Sequence, residues 1–122
     1  MTKNNITESE YEIMKVLWKA GKPVSLGEIM GEIDSNWARN TVGTLLVRLT
    51  EKGAVEAQKQ GKANLYYPIL AENEYSMSET KSFLSKLYKG SIGNLVACLY
   101  ENKELSKEEI EDLRKIINGE AK

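Results

Sequence analysis

Residues 37–69 read WARNTVGTLLVRLTEKGAVEAQKQGKANLYYPI, and the way this stretch folds decides the architecture. Val42, Leu45, Leu46 and Leu49 recur at i, i+3, i+4 and i+7, one apolar stripe along a helix from about Trp37 to Leu49. Asn40, Thr44 and Val47 fall opposite that stripe, with Thr41 and Arg48 along one edge. Small hydrogen-bonding side chains and an arginine on an exposed helix face suit the base edges and phosphates of a DNA groove. Lys52-Gly53 closes the helix. Ala54 to Lys59 and Leu65 to Ile69 then read as two strands joined around Gln60-Gly61-Lys62, with Pro68 marking an edge position.

A helix followed by a basic hairpin predicts a winged helix-turn-helix. The candidate DNA contacts on the helix are Arg39, Asn40, Thr41, Thr44 and Arg48. Arg39 and Asn40 serve either DNA or the helix's own N-terminus. On the hairpin, Lys59, Gln60 and Lys62 are candidate contacts, the lysines meeting phosphates and so adding affinity without sequence information.

Upstream, Thr7 with Glu10 forms a capping box for a first helix that runs to about Lys19. Tyr11, Met14, Leu17 and Trp18 are its inward positions, Gly21 ends it, and Pro23-Val24 is a short extended link. Ser25 with Glu28 caps a short second helix carrying Ile29, Met30 and Ile33, and Asp34-Ser35-Asn36 makes the turn into the third. Trp18 and Trp37 are read as core anchors.

Beyond Leu70 the pattern is helical. A helix from about Glu72 to Lys89 carries Phe83, Leu84, Leu87 and Tyr88. A shorter one carries Ile92, Leu95, Val96 and Leu99, and a last one, capped by Ser106 and Glu109, carries Ile110, Leu113, Ile116 and Ile117. Three apolar faces on about fifty residues make a poor core alone, and two interleaved copies would bury them. The expected organisation is a winged-helix DNA-binding domain over residues 1–70 and a three-helix dimerisation domain over residues 71–122. A two-fold dimer would present two recognition helices roughly 34–36 Å apart, the spacing of consecutive DNA turns.

Composition narrows the function classes. The 122 residues suit one domain, or a small domain with an appendage, and no apolar run approaches a membrane span. The start MTKNNITESE lacks a signal-peptide pattern and the single cysteine precludes an internal disulfide, so a bacterial-type cytoplasm is expected. The formal net charge of −1 is not that of a strongly basic nucleic-acid binder. Its distribution matters more: Ala38 to Lys62 carries +3, whereas Ala71 to Lys122 carries −2. Histidine is absent, there is no glycine-rich phosphate loop, and no nucleophile stands beside a base, so neither an enzyme nor a cofactor or metal site is expected. Cys98 is read as a small hydrophobe without a basic neighbour to lower its pKa.

Four segments resemble a known family, the BlaI/MecI/CopY penicillinase-type repressors: ESEYEIMKVLW, NWARNTVGTLLVRLTEKGAV, LYYPI and KSFLSKLYKGSIGNLVACLYENKELSKEEIEDLRKII. The resemblance implies a dimeric transcriptional repressor that binds a palindromic operator through its winged helix and dimerises through its C-terminal helices. In the β-lactam-responsive members it implies release by a sensor-linked protease that cuts the C-terminal helical region. In the copper-responsive members a C-terminal cysteine motif takes up metal, and one cysteine with no histidine cannot reproduce it. The scissile Asn-Phe pair of the penicillinase-type members corresponds here to Cys98-Leu99, the candidate cleavage region. Gly43 stands where relatives often carry a larger polar or basic residue, at a helix cost of roughly 0.5–1 kcal/mol.

Two function classes compete on the residues alone. One is a sequence-specific repressor. The other is a winged-helix protein–protein adaptor, whose third helix would expose apolar anchors. Val47 is the sole large apolar residue on that outer face, which favours the repressor.

Overall fold

The computed structural model describes residues 5–120; the leader reading on Met1–Asn4 lies outside them. Helices α1 (Glu8–Ala20), α2 (Leu26–Glu32) and α3 (Arg39–Lys52) precede an antiparallel hairpin of β1 (Val55–Gln60) and β2 (Ala63–Pro68). Helices α4 (Glu72–Tyr88), α5 (Ile92–Glu101) and α6 (Lys107–Ile117) follow. None of the helices among the described residues is long and apolar enough to cross a membrane. The chain divides into two compact units, Met1–Ser78 and Glu79–Lys122.

Local signals set the helix starts. The capping boxes of Thr7 with Glu10, Ser25 with Glu28 and Ser106 with Glu109 all form, each pairing a hydroxyl with a backbone N–H and a carboxylate with another. Helix α3 differs: Ala38 is its N-cap and offers no side-chain acceptor, so Trp37 lies just outside the helix. Gly53 ends α3 at φ 83°, the left-handed conformation that glycine adopts without strain.

The core of the first unit joins all three helices to the base of the hairpin. Ile13, Met14, Leu17, Ile29, Val42, Leu45, Leu46, Leu49 and Val55 are buried together, and Val24 and Leu70 close the cluster. The α3 stripe is thus buried as its spacing requires. Ile13 joins the inward face of α1, while Tyr11 and Trp18 are only half-buried. These two form an aromatic cluster with Tyr75, whose ring stacks on Tyr11 at 5.6 Å. Tyr75 carries the compact unit past Leu70, so the division falls within α4, after Ser78. The Trp18 indole N–H donates to the Leu70 carbonyl at 2.8 Å.

The Pro23-Val24 link does more than connect α1 to α2. Val24 pairs with Tyr66 through two backbone hydrogen bonds of 3.0 and 2.7 Å, so it flanks β2 on the side away from β1. Pro68 sits at the end of β2, beyond that pairing, where a missing N–H costs nothing.

The second unit is built differently. None of α4, α5 or α6 contains a buried residue. Leu84, Tyr88, Leu95, Val96, Leu99 and Leu113 are half-buried, while Phe83, Leu87, Ile92, Ile110, Ile116 and Ile117 are exposed, Ile117 by 81%. In a single chain the inward positions expected of these helices have little to pack against.

Candidate nucleic-acid interface

Because Val42, Leu45, Leu46 and Leu49 anchor α3 in the core, the opposite face is presented to solvent. Arg39, Asn40, Thr41, Thr44 and Arg48 are all exposed on this one helix, with Asn40 and Thr44 opposite the stripe, Thr41 and Arg48 along one edge and Arg39 in the first turn. The Thr44 hydroxyl donates to the Asn40 carbonyl oxygen at 2.9 Å. Its proton is therefore engaged, which leaves its oxygen lone pairs to accept. Glu51 is exposed two turns beyond Thr44, so the face is polar and basic at its N-terminal end and acidic at its C-terminal end. A polyanion favours the first.

The hairpin supplies a second basic element. Gln60 pairs with Ala63, leaving Gly61 and Lys62 as the two turn residues. Gly61 has φ 65°, which a two-residue turn with glycine at its first central position demands. Lys59, Gln60 and Lys62 are exposed at this tip. The acid of the hairpin, Glu56, lies opposite Tyr67 and accepts a hydrogen bond from its phenol. Desolvation, then the Glu56 charge, raises the Tyr67 pKa above 10.0.

Lys52, counted with the local positive charge, faces elsewhere. Its ammonium is ion-paired with Glu10, which is 1% exposed, and also donates to the Asn5 carbonyl at 2.7 Å. Burial pushes the Glu10 carboxyl upward, but the Lys52 partner and the Thr7 amide outweigh it and hold the pKa below 4.5. The exposed cations of this region are Arg39, Arg48, Lys59 and Lys62. The ion pair ties the start of α1 to the end of α3 and so fixes the helix that carries the candidate contacts. The sequence signalled the burial of Glu10 though not its partner: Glu10 precedes Met14 and Leu17 by four and seven residues, on the inward stripe of α1.

The sequence model of the penicillinase repressor family matches residues 6–119. The chain belongs to the penicillinase repressor family. It is 36% identical over 114 residues to the penicillinase repressor of Bacillus licheniformis, covering 92% of this chain and 88% of that one. It is likewise 36% identical over 115 residues to the methicillin resistance regulatory protein MecI of Staphylococcus aureus, covering 93% of each. Penicillinase repressor family proteins are transcriptional repressors and not enzymes. Among solved structures, the DNA-binding domain of the repressor BlaI superposes with a TM-score of 0.54 at 35% identity, covering 62% of this chain and 94% of that one. The Bacillus licheniformis BlaI monomeric form in complex with the blaP half-operator superposes with a TM-score of 0.51 at 36% identity, covering 58% and 88%. The shared framework is the winged helix.

Proposed function

We propose that this penicillinase repressor family member is a cytoplasmic, homodimeric repressor that reads a palindromic operator. Each copy lays the outer face of α3 in the major groove of one half-site and rests its hairpin on the flanking backbone. The observation that carries this reading is the outward face of Arg39, Asn40, Thr41, Thr44 and Arg48, with a basic hairpin beside it. It stands on the same framework as a relative solved on a half-operator. In this arrangement Arg48 and Asn40 contact base edges, Thr44 accepts from a base amino group, and Lys59 and Lys62 meet phosphates. Helix α3 lacks a side-chain cap, so the N–H groups of its first turn are available to a phosphate as well.

The exposed apolar faces of α4, α5 and α6 support pairing with a second copy, for which Phe83, Leu87, Ile92, Ile116 and Ile117 would form the buried surface. Release through a sensor-linked protease fits the same region. Cys98-Leu99 lies inside α5, so cutting there requires α5 to unwind.

The test is a gel-shift titration of the full chain on the region upstream of its own gene, at two salt concentrations. Binding should be sequence-selective, and Arg48→Ala and Thr44→Val should each weaken it by about tenfold or more. Variants that bind as tightly and as selectively as the parent would overturn the assignment.

A further inference from the structure

An apolar notch interrupts the polar face of α3, and the contacts assigned above make no use of it. Val47 is 57% exposed on that face. A β-branched side chain has no intrinsic advantage at an exposed helical position. Gly43 lies one turn before it, with open space within 4 Å of where a Cβ would stand. Helical side chains lean toward the N-terminus, so the Val47 isopropyl group overhangs the turn that Gly43 occupies. A long residue at 43 would cover it as an i, i+4 neighbour; glycine leaves it open. Asn40 and Thr44 border the notch, with Thr44 held by its bond to the Asn40 carbonyl.

We propose that Val47 and Gly43 form a socket for the 5-methyl group of one thymine in each half-site, which makes Val47 a specificity-determining residue. This rests on the assignment of α3 to DNA and adds the identity of a base. Thymine alone among the four standard bases carries a methyl group into the major groove, and apolar side chains read it by contact. An isopropyl group pressed against any other base edge would desolvate polar atoms without giving them a partner. The methyl group is the one groove feature it favours. A protein partner fits less well, because one valine ringed by polar residues lacks the clustered anchors of a protein interface.

The experiment lets the full chain select its duplex from a random library of roughly 30 base pairs, about the length of an operator spanning a dimer. Each thymine of the selected duplex is then replaced by deoxyuridine, which removes the methyl group and nothing else. The parent should lose about fourfold in affinity at one thymine per half-site, the value of burying one methyl group. Val47→Ala should be indifferent to uracil at that position while keeping its response elsewhere, and Gly43→Gln, which covers the socket, should behave likewise. Val47→Ala replaces an exposed residue with the best helix former, so the fold persists, and a thermal melt verifies this. If parent and Val47→Ala respond alike to uracil at every thymine, the socket is refuted while the α3 assignment stands. If the parent selects no sequence, the α3 assignment itself fails at the first step, and the socket with it.

Discussion

Glu10 shows how a single side chain can serve two ends of a structure. Its carboxylate closes the capping box on Thr7 and also holds the Lys52 ammonium, so it links helix initiation to the seating of α3. A buried ion pair contributes little net stability, yet breaking one is costly because the remaining charge is stranded. Glu10→Gln is therefore expected to lower unfolding free energy by about 2–3 kcal/mol at neutral pH, measured by urea titration. The folded pKa of Glu10 lies below its ordinary 4.5, so its stabilising effect is complete above that value and fades as pH falls through the folded pKa. Parent and variant should converge in acid; a gap that persists there would show that the charge is not the cause. The pair was hidden in the sequence because its partners are 42 residues apart. The capping role of Glu10 was plain from Thr7 three residues earlier, and that local explanation masked the distant one. Thr44 was legible for a converse reason: its position depends only on the period of α3.

At the level of elements, what repeats over a few residues could be read and what pairs across the chain could not. The three capping boxes, the α3 stripe and the glycine-turned hairpin follow from short-range spacings. The Val24–Tyr66 pairing joins distant residues through backbone atoms, so no side-chain pattern announces it. Tyr75 is a lone aromatic in the polar run ENEYSMS, and composition marked as a junction what one stacked ring holds to the first unit. In the proposed arrangement helix and hairpin would divide the labour of binding, and this can be measured. Replacing Lys59 and Lys62 together by alanine should weaken operator and random DNA by the same factor. The slope of log K against log salt should become shallower by about 0.9 for each phosphate the hairpin ceases to neutralise. A changed preference between sequences would mean that the hairpin reads bases.

For the whole molecule the decisive contrast is between a first unit with its own core and a second whose helices bury no residue. Under the proposed assembly, Ile116→Glu and Ile117→Glu alter residues that one chain leaves exposed, so the first unit should melt unchanged. Sedimentation should show dimer converted to monomer, with operator affinity falling by at least about a hundredfold as the two half-sites cease to be bound together. A variant that remains dimeric would show that the apolar faces of α4–α6 are not the contact. The three apolar faces were legible from their helical spacing, whereas a single chain carries the faces and not what covers them. The empty core of the second unit has a further consequence, for gene dosage. If the working species is the proposed dimer, its concentration rises as the square of subunit number when copies are few. Halving synthesis would then cut the pool of working dimers to about a quarter, and the unpaired tails would be the first parts of the molecule open to turnover. The promoter it governs would respond to the cell's count of this chain as a threshold, and the height of that threshold would be written in Phe83, Leu87, Ile92, Ile116 and Ile117.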